Sequence, residues 1–271
     1  MNTNHLSVFK KVMNTGSISQ VAKETYVSQP AISMMLKRLE QDAGVPLYTV
    51  VGRNITATDA GLTLMEYAES ILSLEEQVYR AMEEFQQGSR GRIIVGTSQV
   101  LATYLLPRIL LSFNKNHSNI TVDLKIRPDQ EIENLVRTGS VDIGITITPP
   151  EDHFSLRVRK ISDDQLIGIQ PSFPLNSKTI LIPSDIPLSI NGQMKDQTTR
   201  IFSTEAMKQF VIEGVGYGVV LKSAVELEIS CGKLKYWDGY ESNSITTNVI
   251  TRPAERLSKS VWFFLKHLVD I

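Results

Sequence analysis

Cysteine is nearly absent. Cys231 stands alone in 271 residues, which excludes an intramolecular disulfide framework and fits a reducing compartment. Long apolar runs are missing as well. No stretch reaches the roughly 18 residues of a spanning helix, and the N-terminus has no apolar signal core. A cytoplasmic protein with no membrane partner is the expectation. An excess of one charge is also lacking: 28 Lys and Arg oppose 29 Asp and Glu, a net charge of −1. A chain that coats nucleic acid over its whole surface would carry a large positive balance. The four histidines, His5, His117, His153 and His267, show no metal-ligand spacing. Ser, His and Asp form no ordered nucleophile–base motif. No metal, cofactor or enzymatic activity is expected. The run Gly214-Val215-Gly216-Tyr217-Gly218 follows a helical pattern and precedes a strand pattern. A dinucleotide fingerprint needs the reverse order, so this run reads as a helix stop.

Against these absences, Ser17 to Leu39 carries two capped helices joined by a tight turn. Ser17 suits an N-cap, with Gln20 three positions later as in a capping box, and Val21, Ala22 and Thr25 mark one face up to Tyr26. Ser28 caps the second helix, Pro30 fits its first turn, and Ile32, Leu36 and Leu39 give the buried stripe. Gly44 and Pro46 end it. This is a helix-turn-helix pattern, whose second helix enters the major groove of DNA. Gln29, Ser33, Lys37 and Arg38 lie off the apolar stripe, where they can read base edges or hold phosphates. Leu47 to Thr58 alternates around Gly52-Arg53-Asn54, reading as a two-stranded wing with Arg53 at its tip. The competing reading is a helical hairpin whose charged face is merely solvated.

Residues 1–88 resemble the winged helix-turn-helix and linker helix of the LysR-type transcriptional regulators. The residues that carry the likeness are Phe9, Gly16, Ser17, Ala22, Val27-Ser28-Gln29-Pro30-Ala31, Ser33, Leu39-Glu40, Gly44-Val45-Pro46-Leu47, Arg53, Thr58 and Ala60-Gly61. The resemblance implies sequence-specific binding of double-stranded DNA at an interrupted dyad promoter site, through Ser28, Gln29, Pro30, Ser33, Met34, Lys37, Arg38 and Arg53. It also implies contact with RNA polymerase and a homodimer or homotetramer. Met34 and Met35 stand where the family tends to carry polar or basic residues, and can pack on thymine methyls or on a partner subunit. The lone Cys231 weighs against the family members that sense oxidants through a cysteine pair. Residues 1–61 hold six basic against four acidic residues and residues 62–90 two against six. The N-terminal unit is therefore the part suited to phosphates.

The chain divides into a winged helix-turn-helix at 1–61, a linker helix at 58–88 and a two-part domain at 89–271. Leu64, Ala68, Ile71, Val78, Met82 and Phe85 form a stripe along the linker, interrupted at Glu75 and flanked by Glu66, Glu69, Glu76 and Glu83. A coiled-coil dimer contact is the expected use; the other is a long helix packed on its own domain. Paired heads would meet half-sites about 34–36 Å apart, or a multiple of that. Gln87-Gly88-Ser89-Arg90-Gly91 reads as the hinge.

From Arg92 onward strands and helices alternate: strand 93–95, helix 101–114, strand 120–126, helix 132–138 and strand 141–147. A second group follows, with strands 166–170, 180–182, 200–203 and 217–221 around a helix at 204–213, then strand 244–251 and helix 257–269. This α/β succession implies a parallel sheet. The fold class is α/β, with an N-terminal winged helix-turn-helix rich in α-helix, a long linker helix and an effector-binding domain of two subdomains. Subdomain I takes about 91–162 and 246–271, and subdomain II about 163–245. The resemblance makes this the family's periplasmic-binding-protein-like effector domain.

Ligands of open α/β folds sit beyond the carboxyl ends of strands. That places Thr97, Ser98 and Gln99 at the site, with Thr103 nearby. Ser98 is the first choice, suited to a carboxylate or other small anion, while simple helix capping is the alternative. Pro128, Thr146, Thr148 and Thr199 are further wall candidates. Asp129 and Glu131 suit a helix N-terminus, but facing the cleft they would repel a dianion. The short polar segment from Ile190 to Arg200 replaces the helix usual in the family, so the second half is trimmed. A second function stays open: an effector-independent DNA-binding regulator whose trimmed domain serves oligomerisation only.

Overall fold

The computed structural model describes residues 1–52, 54–87, 91–150, 155–184, 198–201, 203–253 and 257–269. Arg53, most of the hinge (88–90) and most of the short polar segment (190–197) lie outside the described residues. The chain forms two compact units, residues 1–83 with 138–140, and residues 84–137 with 141–271.

The first unit opens with a helix, α1 (Thr3–Thr15), that the sequence reading does not contain. Asn2 caps it by accepting from Asn4 N at 2.8 Å, and Gly16 ends it at φ 66°. Leu6, Phe9 and Val12 form its buried face. In α2 (Ile18–Thr25), Ser17 Oγ accepts from Gln20 N at 3.3 Å. The reciprocal half of the capping box does not form, because Gln20 Nε2 donates to Glu24 at 2.9 Å instead. In α3 (Gln29–Ala43), Ser28 Oγ accepts from Ala31 N at 3.4 Å, Pro30 occupies the first turn and Gly44 closes the helix at φ 73°. Ile32, Leu36 and Leu39 meet Leu6, Phe9, Val12, Val21 and Leu47 in one core. Each such side chain contributes about 1.5–3 kcal/mol by leaving water. The wing strands β1 (Tyr48–Val51) and β2 (Asn54–Ala57) pair antiparallel from Tyr48↔Ala57 to Val51↔Asn54. Ile55 N donates to Gly16 O at 3.0 Å, which ties the wing to the end of α1.

The linker is a single helix, α4 (Asp59–Gln87); of the stripe expected along it, Ile71, Val78 and Met82 are exposed, whereas Leu64 and Ala68 are not. Ala68 is fully buried in the core of the first unit, with Leu64, Met65 and Leu72 packed against that core. On the same side Glu75 accepts from Thr3 Oγ1 at 2.8 Å, and Lys10 pairs with Glu69 at 3.1 Å. Leu64 and Ala68 therefore serve the monomer. The exposed apolar row is Tyr67, Ile71, Leu74 and Val78, with Leu74 60% exposed. At 100° per residue this row lies about a quarter turn from the buried face. Glu75 interrupts nothing, because Leu74 occupies that level of the seam. Phe85 and Glu83 fall where side chains are not described.

The second unit is built on one mixed sheet. Its strands are β3 (Gly91–Thr97), β4 (Ile120–Ile126), β5 (Ile143–Thr146), β6 (Arg157–Pro171), β7 (Ile180–Pro183), β8 (Thr198–Ile201), β9 (Tyr217–Leu221), β10 (Leu234–Tyr236) and β11 (Asn243–Thr251). The spatial order is β4-β3-β5-β11-β6-β9-β7-β8, with β10 on the far part of β6. β3 runs parallel to β4 and β5, and β7 parallel to β8 and β9. The two parallel groups are joined by the long antiparallel pair β6–β11, in register from Asn243↔Leu166 to Thr251↔Arg157 with one shift at Thr247/Asn248. Two lobes joined by crossing strands result. The sequence reading places the first of these strands only from Leu166; its polar half, Arg157 to Gln165, alternates too weakly in hydrophobicity to be legible. The expected helix 101–114 is two helices, α5 (Gln99–Tyr104) and α6 (Leu106–Asn116). Pro107 in the first turn of α6 forces the break, since it cannot continue a helix hydrogen-bond ladder. α7 (Asp129–Thr138), α8 (Thr204–Ile212), the short α9 (Glu226–Ser230) and α10 (Lys259–Val269) complete the unit. Phe113 of α6 meets Phe264 of α10 edge-on at 4.8 Å.

Candidate nucleic-acid interface and effector cleft

The exposed face of α3 follows from how the helix is held. Its apolar stripe is buried against α1 and α2, so Ser28, Gln29, Pro30, Met34, Lys37 and Arg38 all face water, with Ser33 half-buried among them. Met34 is 71% exposed. A long apolar side chain has no reason to be there for folding, but it suits a thymine methyl in the major groove. Gln29 Oε1 accepts from Ser19 Oγ at 3.3 Å, which orients the amide and leaves its NH₂ free to donate. Arg38 stands 3.8 Å from Asp42, a loose pair one turn on, whereas Lys37 has no ion-pair partner among the described residues. The wing is anchored from behind. Thr58 Oγ1 donates to Pro46 O at 2.8 Å and accepts from Gly61 N at 3.1 Å, while Glu40 accepts from Leu47 N at 2.8 Å. Burial and the neighbouring Glu40 carboxylate, to which Tyr48 hydrogen-bonds, raise the Tyr48 phenol above its usual range.

The effector candidates fall into three groups. Ser98 is buried just after β3, takes the N-cap position of α5 without a capping bond, and its Oγ has no partner among the described residues. Buried hydroxyls normally find a partner, so an unpartnered one just past a strand end suits a ligand atom. Thr97 is also buried, but its hydroxyl is committed to Ile145 O at 3.0 Å, and Thr103 donates back to Gln99 O at 2.8 Å. Thr146 and Thr148 line a cavity of about 580 Å³ with Asp129, Glu133 and Arg137. The Ser98 loop does not line it, and Thr146 Oγ1 donates to Thr148 O at 2.8 Å. Pro128, Gln99 and Thr199 are exposed. Asp129 and Glu131 do occupy the first turn of α7. Asp129 does more than cap: its Oδ2 accepts from Ile147 N at 2.7 Å and Thr148 N at 2.9 Å, fixing the loop after β5.

One residue of evident consequence carries no sequence signal. Lys208 of α8 is 2% exposed, and its ammonium donates to Tyr104 Oη at 2.6 Å, Glu228 at 2.8 Å and Ala224 O at 3.0 Å. Tyr104 belongs to α5 in one lobe, while Lys208 and Glu228 belong to the other. The contact thus links α5, which follows Ser98, with α8, which starts at Thr204, whose buried hydroxyl is also without a partner among the described residues. A lysine in a helix normally reads as solvated surface, so only the fold could reveal it. Among the described residues no group of three or more His, Cys, Asp or Glu could hold a metal ion, and no helix is long and apolar enough to cross a membrane.

These features define a winged helix-turn-helix DNA-binding protein with a two-lobed ligand-binding unit. The family description "Bacterial regulatory helix-turn-helix protein, lysR family" matches residues 3–62, and "LysR substrate binding domain" matches residues 86–186. The chain belongs to the LysR family and is a DNA-binding transcriptional regulator. It is similar to a probable RuBisCO transcriptional regulator of Trichormus variabilis, 32% identical over 84% of this chain and 76% of that one. It is 29% identical to another probable RuBisCO transcriptional regulator, from Gracilaria tenuistipitata var. liui, over 98% of this chain and 95% of that one. That alignment has 294 positions against a chain of 271 residues, so the relative carries residues with no counterpart here. Among solved structures, the fold resembles CbnR, a LysR family transcriptional regulator (TM-score 0.73, 20% identity, 99% of this chain and 98% of that one). It also resembles LysG of Corynebacterium glutamicum with bound effector Arg (TM-score 0.58, 16% identity, 100% of this chain and 97% of that one).

Proposed function

We propose that this regulator is a cytoplasmic homo-oligomer, not an enzyme, that reads an interrupted dyad in double-stranded DNA and responds to a small molecule held between its two lobes. The observation that carries the DNA half is the exposed face of α3, where Gln29, Pro30, Ser33, Met34 and Lys37 stand clear of a helix whose other side is fully buried. Gln29 and Ser33 supply base readout, Met34 an apolar contact, and Lys37, Arg38 and Arg53 charge. The row Tyr67, Ile71, Leu74 and Val78 supports a pairing of α4 with a second copy, which presents two reading helices. Competition binding to selected and scrambled duplexes tests the readout. Gln29→Ala should lose affinity for the selected duplex alone; equal loss on both rejects its role.

The effector half is supported by the unpartnered buried hydroxyl of Ser98 at a strand end, in the lobe opposite Thr204. Closing the lobes on a ligand would alter the spacing of paired reading heads and so the contact with polymerase. Thermal shift against a metabolite panel tests it, since a ligand selective for the folded state must raise the unfolding temperature. A Ser98→Ala chain should lose that shift. If no metabolite stabilises the protein while DNA binding is intact, the effector-independent reading stands instead.

A further inference from the structure

Three helices of the first unit end in the same left-handed cap, and two of them solve it with glycine: Gly16 at φ 66° after α1 and Gly44 at φ 73° after α3. After α2 the residue is Tyr26 at φ 55°, the one non-glycine residue at positive φ among those described. Glycine takes this conformation freely and a bulky side chain does not. The ring recovers nothing by packing, because Tyr26 is 98% exposed. Within the folded unit, then, tyrosine is a poor choice on two independent counts.

Its surroundings indicate what the ring meets. Two residues separate Tyr26 from Gln29, the start of the reading helix. Ser19 Oγ donates to Gln29 Oε1, so the beginning of α2 also borders that first turn. Ser19 and Lys23, four residues apart, share one side of α2, and Tyr26 follows at the cap that ends the helix. Lys23 is exposed, with no carboxylate in ion-pair range among the described residues. In a helix-turn-helix the first helix crosses the sugar–phosphate backbone while the second enters the groove. Lysine ammonium, serine and tyrosine hydroxyls are among the groups that bond to phosphate oxygens. We propose that Lys23 and Tyr26 form a phosphate-holding row beside the reading helix, with the Tyr26 hydroxyl donating to a DNA backbone phosphate that flanks the base step read by Gln29. Ser19 sets the distance between this row and Gln29. The inference rests on the DNA-binding reading given above, and adds a register-fixing contact that carries no base preference of its own.

The test uses the full chain, a duplex selected from a random pool by the unaltered protein, and a scrambled duplex of equal length. Tyr26→Phe keeps the ring and the backbone strain but loses the hydroxyl; it should weaken binding to both duplexes by the same factor, about three- to tenfold, with no change in unfolding temperature. Tyr26→Gly should unfold at a higher temperature yet bind both duplexes more weakly than Tyr26→Phe. Lys23→Ala should make the slope of log affinity against log salt shallower by about 0.9, the loss of one phosphate contact. Tyr26→Gly binding as tightly as the unaltered chain overturns the proposal, as does a Tyr26→Phe loss confined to the selected duplex. A defect seen only in transcription, with DNA affinity intact, also overturns it and assigns the ring to a protein partner. If the unaltered chain prefers no duplex at all, the DNA reading itself fails. Gln29→Ala losing preference while the Tyr26 and Lys23 variants behave as unaltered sinks the row alone.

Discussion

Gly61→Ala should disable the first unit, and the size of the effect can be worked from one contact. Gly61 is buried in the first turn of α4, and a Cβ there would lie 2.0 Å from Leu47 O, 3.0 Å from its carbonyl carbon and 3.2 Å from Ala57 Cβ. Non-bonded carbon and oxygen do not approach within 3.0 Å, so the helix and the wing must part by about 1 Å. Both faces of the clash are backbone, which cannot rotate away. Separation also strains the Thr58 bonds to Pro46 O and from Gly61 N, and the 3.1 Å bond from Thr58 N to Leu47 O. Overpacking of this severity costs about 3 kcal/mol, and each weakened hydrogen bond adds about 1 kcal/mol. Gly44→Ala is the control. It has no atom within 4 Å of the added carbon and suffers only from its φ of 73°, which costs about 1 kcal/mol. For a unit of this size 1 kcal/mol corresponds to about 4–8 °C. Thermal unfolding of the full chain by circular dichroism should place Gly61→Ala at least about 10 °C below Gly44→Ala. Because the shifted wing no longer follows α3, affinity for all duplexes should fall together. A Gly61→Ala chain that unfolds no earlier than Gly44→Ala refutes the steric argument.

The seam on α4 gives a second test: Leu74→Glu should convert the oligomer to smaller species in sedimentation while Ala68→Glu instead unfolds the first unit, and the opposite pairing would reject the assignment of faces. Lys208→Met should lower stability by about 3 kcal/mol, the cost of stranding the Glu228 carboxylate, which is only 16% exposed; Glu205, 3.0 Å from the same ammonium but half-exposed, contributes little. Chemical denaturation showing no change would mean the bridge between lobes is inert. Tyr48, whose raised phenol pKa favours its neutral form in the folded state, should stabilise the first unit fully below about pH 10, its ordinary pKa, and progressively less as pH rises through the folded value. Tyr48→Phe should flatten that alkaline limb, and an unaltered limb would place its cause elsewhere.

Where local chemistry sets an element, the sequence was legible. Ser17, Ser28 and Gly44 announce α2 and α3, and the alternation around Gly52 announces the wing, because caps and turns are decided by residues within a few positions. Strand β4 reads from strict alternation of apolar and polar residues, and β7 and β9 from continuous apolar runs. What escaped was decided by partners distant in the chain. The linker stripe holds at Ile71, Val78 and Met82, which are exposed, and fails at Leu64 and Ala68, because periodicity reveals that a face is apolar but not which partner covers it. Leu64 and Ala68 look like seam residues until Phe9 and Leu36 are found against them. Lys208 escaped for the same reason: its partners Tyr104 and Glu228 come from separate elements. The first half of β6 carries only Val158 and Ile161 as apolar residues, one on each face, so no alternation marks it. α1 went unread although Asn2 and Gly16 bracket it, and these caps would have disclosed it.

Asp129 bears on the charge of the ligand. Its carboxylate already takes the two amides after β5, those of Ile147 and Thr148, so these donors are spent within the lobe. An incoming anion at that edge would meet a carboxylate where it needs a donor, and repulsion between like charges a few ångströms apart outweighs a single hydrogen bond. On the effector reading proposed above, ligand acceptors are left to Ser98, outside the cavity that Asp129 lines; its buried hydroxyl can donate once and brings no positive charge. One hydroxyl suits a neutral acceptor or a monoanion and cannot offset a second negative charge. Unfolding temperature measured against matched monocarboxylates and dicarboxylates should rise only with the former. Asp129→Asn, which keeps one acceptor oxygen and removes the charge, should admit the latter. Equal stabilisation of the unaltered chain by both series would show that Asp129 does not gate the site.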